Sequence, residues 1–167
     1  MSLIIGVTGH RDIVVSDALR ASIYAYLEAI IHQHQGEEIT LLSPLADGAD
    51  RLVAEIFLSL KPTYPNLLLS VPMPFDQSRY MEDFDVDSKQ EFTAYLNQAS
   101  ASFTVEDTQN DGYRSVGVFV AERSDVLLAL WDGTNNHKAG GTADIVQYAR
   151  SQQKDVKHFL SQRAMAI

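Results

Sequence analysis

The chain has no cysteine among its 167 residues. That removes disulfides, thiolate metal sites and cysteine nucleophiles together. It also lacks any apolar run approaching the roughly 18 residues needed to span a bilayer; its longest runs are strand-sized. The start shows no basic flank followed by a long apolar stretch, because Leu3-Ile4-Ile5 meets Gly6 and then His10-Arg11-Asp12. A secretory leader is therefore not expected, and a cytoplasmic location is. Positive charge is scarce: 13 Lys and Arg stand against 22 Asp and Glu, a net charge of −9. Nucleic-acid binding needs a cationic footprint and is not expected, although a local basic pocket for a small anion is compatible with that balance. Neither a G-x-S-x-G elbow, a Walker A loop nor a G-x-G-x-x-G turn occurs. Serine hydrolase, P-loop and ordinary dinucleotide-dehydrogenase readings fall away, and neither cofactor nor metal is expected.

What remains is an ordinary globular composition, 46% hydrophobic and 21% charged, with enough length to bury about two-thirds of its unfolded surface. Short apolar runs alternate with amphipathic ones. Strands are expected at Leu3–Gly9, Ile39–Ser43, Leu67–Val71, Ala101–Val105, Val126–Trp131 and Val156–Leu160. Between them, Ser16-Asp17 starts a helix carrying Leu19, Ile23, Leu27, Ile30 and Ile31 at helical spacing. Leu52, Val53, Ile56, Phe57 and Leu60 mark a second helix, stopped by Pro62. Ser88 with Glu91 fits a capping box ahead of Phe92 and Tyr95. Helices are also expected from Tyr113 to Ser124 and over Thr142–Ser151. Strands separated by helices predict a three-layer α/β/α Rossmann-like sandwich on a mainly parallel, doubly wound sheet. Residues 1–167 read as a single domain. The apolar end, Ala164-Met165-Ala166-Ile167, suggests either an interface or one domain cut from a longer protein.

A parallel sheet directs every strand's carboxyl end to one edge, where ligands bind. Three junctions at that edge carry unusual residues: Thr8-Gly9-His10-Arg11; Asp47-Gly48-Ala49-Asp50-Arg51; and Asp132-Gly133 through Gly140-Gly141-Thr142. Glycines at a helix start let backbone amides approach an anion, with the helix dipole and the Thr142 hydroxyl assisting. Arg11 and Arg51 are candidate phosphate clamps, or else braces for Asp12, Asp47 or their own helix. His10 suits a ligand contact or a cap; Asp132 suits ribose hydroxyls or a turn. His32 and His34, two apart on a helix, make a poor metal pair. Asp83, Asp85 and Asp87 lack the calcium-loop glycine and read as a solvated acidic turn.

With these residues in view, the chain resembles the SLOG superfamily. The matching stretches are IIGVTGHRD (Ile4–Asp12), SPLADGADRLVAE (Ser43–Glu55), LLLSVPMPF (Leu67–Phe75) and RSDVLLALWDGTNNHKAGGTADIVQYA (Arg123–Ala149). The resemblance implies a pocket for a small-molecule nucleotide or nucleotide derivative, with Gly140-Gly141-Thr142 as its phosphate cradle. It also implies a homo-oligomer or a fused effector domain as partner. The phosphoribohydrolase branch carries P-G-G-x-G-T-x-x-E; here Ala139-Gly140-Gly141-Thr142-Ala143-Asp144-Ile145-Val146 places no glutamate at the matching point. Two functions stay open: a binding or sensing module, and an enzyme acting at an N-glycosidic bond with Asp144, Asp132 or Asp47 as its carboxylate.

Overall fold

The computed structural model describes residues 2–164. Six strands form one parallel sheet: β1 (Ser2–Gly9), β2 (Glu38–Leu42), β3 (Leu67–Met73), β4 (Ala101–Thr104), β5 (Val126–Trp131) and β6 (Asp155–Leu160), ordered β4-β3-β2-β1-β5-β6. Composition follows position. The inner strand β5 (VLLALW) is buried at every residue but its last, whereas the edge strands β4 and β6 are exposed or alternate. A strand covered on both faces tolerates only apolar side chains; an edge strand does not need them.

Six helices fill the connections: α1 (Asp17–Gln33), α2 (Ala49–Ser59), α3 (Gln77–Met81), α4 (Val86–Leu96), α5 (Gly112–Arg123) and α6 (Thr142–Ser151). Helices α1, α2 and α4 share one core with Ile5, Leu41, Leu69 and Leu128. Helices α5 and α6 pack on the other face, around Val120, Leu127 and Ile145. The three-layer doubly wound architecture expected from the sequence is therefore present. No helix among the described residues is long and apolar enough to cross a membrane. Met165–Ile167, the end of the apolar tail, lie outside the described residues.

Chain order reverses between β1 and β5. From β1 the chain winds outward through β2, β3 and β4; from β5 it winds the other way to β6. The helices that follow β1 and β5 consequently leave on opposite faces, opening a crevice between the two strand ends.

Ser16 caps α1 as expected, accepting from the Leu19 amide at 3.1 Å. The capping box at Ser88 and Glu91 needs correction. Helix α4 starts earlier, capped by Asp85, whose side chain accepts from the Ser88 amide at 2.8 Å. Ser88 and Glu91 turn inward to Arg51 instead. The short α3, capped by Asp76, was not anticipated.

Candidate functional site

The crevice at the β1–β5 reversal holds a cavity of about 530 Å³. Seven residues expected at the site line it: Thr8, Gly9, His10 and Arg11 after β1, and Gly140, Gly141 and Thr142 at the start of α6. Its remaining lining comes from Asp83, Asp111, Tyr113, Asn136, Lys138, Ala139 and Arg163. Asn136, Lys138 and Ala139 belong to the β5–α6 loop already singled out. Tyr113 marked the start of the expected helix without pointing to a ligand, and Asp111 was not singled out. Asp83 lay in what read as a solvated turn.

Local geometry explains the α6 end. Gly140 has φ +77°, a conformation that disfavours a Cβ, and a Cβ there would come 3.1 Å from the Arg114 amide nitrogen. The chain therefore turns tightly against α5 before entering α6. Asp144 holds this turn: it accepts from the Gly140 amide at 2.8 Å and from Arg114 Nε at 2.9 Å. Four helices carry side-chain caps, from Ser16, Asp76, Asp85 and Asp111. Helices α2 and α6 carry none. The first amide of α2 donates to the His10 carbonyl at 3.1 Å. The start of α6 lines the cavity at Gly141 and Thr142 and has no capping side chain, a favourable place for an anion.

Charge supports the same reading. In a chain of net charge −9, the cavity is lined by three cations, Arg11, Lys138 and Arg163, and two carboxylates, Asp83 and Asp111. Asp111 is occupied as the α5 cap, accepting from the Arg114 amide at 3.2 Å. Among the described residues Arg11 forms no ion pair; its guanidinium lies 5.3 Å from the centre of the Tyr113 ring. Tyr113 meets Phe75 edge-on at 5.3 Å, and Arg79 covers Phe75 at 3.9 Å. The result is a braced aromatic wall beside a cation without a carboxylate partner.

His10 is buried and faces Asp132, with Nε2 3.2 Å from both the Asp132 amide and its Oδ1. Burial works to raise the Asp132 carboxyl, but the Thr134 amide and hydroxyl and the facing His10 outweigh it and hold the group below the usual range.

Five expected residues do not line the cavity. Asp132 stands behind His10, and Gly133 forms the turn leaving β5. Gly48 serves the backbone: with φ +82°, a Cβ would fall 2.3 Å from the Arg11 carbonyl oxygen. Arg51 is buried, donating from Nε to the Leu45 carbonyl at 2.8 Å and from Nη1 to Asp47, Ser88 and Glu91. Asp47 belongs to that same bracket. Here the bracing alternative describes the arginine, because the fold surrounds it with oxygens before it can reach the crevice.

Asp50, next to this bracket, is the one carboxyl pushed strongly upward among the described residues, to about 7. Burial is the cause; the Ala46 amide and the charges of Arg11 and Arg51 offset it only in part. It does not line the cavity.

A family model described as the YspA SLOG family matches residues 6–163. No curated protein matches the chain in sequence.

Proposed function

We propose that this chain, which belongs to the YspA SLOG family, binds a nucleotide or nucleotide-derived ligand in the cavity between the ends of β1 and β5. SLOG membership suggests a nucleotide-related function on a Rossmann-like fold, and the finer reading rests on the site. One observation carries it: an uncapped helix start and an arginine that has no carboxylate partner among the described residues line the same cavity at the point where strand order reverses. A phosphate sits at the start of α6, by Gly141 and Thr142, with Lys138 beside it. A base or ribose rests along Tyr113. The cavity's size suits such a ligand, within the usual 300–1,000 Å³ of small-molecule sites (about 530 Å³).

The enzymatic reading gains less support. Of its three candidate carboxylates, Asp144 is held by Arg114 and the Gly140 amide, and Asp47 by Arg51 and Ser88. Asp132 faces His10 rather than the cavity. A carboxylate that attacks or stabilises an oxocarbenium centre must reach the sugar, and none of these three lines the space where a sugar fits.

The test is a thermal-shift titration with AMP, ADP, ADP-ribose, NAD and cyclic dinucleotides. A compound at about 100 times its dissociation constant contributes roughly 2.7 kcal/mol, a readily measured shift at this size. A saturating shift that Gly141→Val removes, while the unliganded variant still unfolds cooperatively with at most a small loss of melting temperature from the close Lys138 carbonyl, is the expected result. A flat response to every compound would sink the proposal, and the α6 start would then be only a loop turn.

A further inference from the structure

Arg163 came into the cavity with no warning from the sequence. It lies beyond β6 on a short strap that returns across the sheet edge. Gln162 accepts from the Val14 amide at 2.8 Å, Arg163 bridges antiparallel to Ile13, and the Ala164 amide donates to the Asp12 carbonyl. The strap therefore clasps the segment that joins β1 to α1, just past Arg11. The Arg163 side chain donates from Nε to Asp12 Oδ1 at 2.9 Å and lines the cavity. Asp12 stays ionised: burial acts to raise it, but the Arg163 hydrogen bond and charge prevail and hold it below the usual carboxylate range.

The two ends of the guanidinium are used differently. Nε is taken by Asp12; among the described residues neither Nη group has a hydrogen-bond partner. A carboxylate behind an arginine fixes the fork and leaves its front for a planar pair of anionic oxygens. Arg11, also without an ion pair among the described residues, lines the same cavity from the same segment. The start of α6 and Lys138, on the loop that leads into it, line the same cavity. Cationic groups thus reach it from two stretches of chain, the clasped β1–α1 segment and the α6 entrance. One phosphate on the α6 amides leaves the Arg11–Arg163 side unmatched, whereas two linked phosphates meet both.

We propose that Arg163, oriented by Asp12, is a ligand-binding residue that together with Arg11 takes the second phosphate of a nucleoside diphosphate or a derivative of one. This rests on the nucleotide reading above and narrows it to a class. Asp12 is then a positioning residue, acting through the arginine rather than on the ligand.

The experiment compares ADP with AMP by calorimetric titration of the full chain and its variants. Wild type binds ADP more tightly than AMP. Arg163→Ala weakens ADP by about tenfold and AMP by less than about threefold, the loss expected for a charge-assisted hydrogen bond made to one ligand only. Arg163→Lys, which keeps the charge but not the fork, recovers part of the ADP affinity. Asp12→Asn keeps an acceptor for Nε and retains the ADP preference, while Asp12→Ala reduces it. Equal loss for both nucleotides in Arg163→Ala would show a strap that merely supports the β1 loop, and the inference would fall. Unchanged binding of both would also overturn it while leaving the nucleotide site standing. If wild type binds neither ADP nor AMP nor any other nucleotide, the broader reading fails first and takes this one with it.

Discussion

Arg11 and Arg51 begin in nearly the same setting and end in opposite ones. Each follows a parallel strand, each has a glycine two or three residues before it, and each adjoins an aspartate: Gly9-His10-Arg11-Asp12 and Gly48-Ala49-Asp50-Arg51. The fold surrounds Arg51 with the Leu45 carbonyl, Asp47, Ser88 and Glu91 and lays it 4.7 Å from the Phe84 ring centre, leaving it 3% exposed. Arg11 is exposed, carries no ion pair among the described residues, and borders a cavity. An arginine braces when oxygens converge on its fork and recognises when they do not. The count of acceptors within reach decides the role, and the local sequence does not report that count.

The largest effect expected from breaking this contrast is on stability. Arg51→Met keeps an unbranched side chain but removes the guanidinium over Phe84 and Phe92, strands the Leu45 carbonyl and unties Asp47 and Glu91. Both carboxylates are partly exposed, 40% and 55%, and rehydrate. The cost should be about 2–4 kcal/mol in urea denaturation, below that of a fully buried pair. Nucleotide affinity of the folded fraction should not change.

Asp50 sharpens the comparison because both arginines act on it. Its carboxyl titrates near 7 in the folded protein, against 3.8 as the ordinary value. The native state then holds a proton that the unfolded chain has released, so Asp50's contribution to stability is full below about pH 4 and is lost as pH rises through about 7. Asp50→Asn keeps an acceptor for the Ala46 amide and removes the buried charge. It should be more stable than wild type at pH 8 by about 2 kcal/mol, with the gap closing by pH 5. Urea midpoints at the two pH values check this, and an equal gap at both would exclude the titration.

Arg11→Ala is the mirror of the first variant. Affinity for the bound nucleotide should fall about tenfold, some 1.4 kcal/mol, while the unliganded protein keeps its stability within about 0.5 kcal/mol. Should Arg11→Ala unfold the protein and leave binding intact, the two arginines would have exchanged roles and the contrast would be broken. The smallest effect belongs to Asp144→Ala, which releases Arg114 and the Gly140 amide at a partly buried position. About 1 kcal/mol of stability and a severalfold loss of affinity are expected from a looser α6 entrance, read by the same titrations.

Strand and helix placement was largely legible. β5 and α6 have the bounds read from Val126–Trp131 and Thr142–Ser151, because uninterrupted apolar residues and a glycine-marked start are signals that lie within a few residues of the structure they specify. At the site, the Thr8–Arg11 and Gly140–Thr142 junctions meet at the cavity, since parallel topology converts strand ends into neighbours. Ser88 and Glu91 show where such reasoning stops. Their spacing matches a cap, yet Asp85 supplies the cap three residues earlier, and their side chains answer to Arg51, 37 and 40 residues away. Arg163 had no legible signal at all, its partner Asp12 lying 151 positions back.

The sequence by itself therefore determined the alternation of strands and helices, the parallel sheet and the edge at which polar and glycine-rich turns collect. These follow from hydrophobic periodicity and backbone conformation, which are properties of neighbouring residues. Only the tertiary structure decided which charges were neutralised, which faced empty space, and which carboxyl was buried enough to hold its proton near pH 7. Those outcomes depend on the distance between groups and on their exclusion from water, and both quantities exist only after remote segments have packed together.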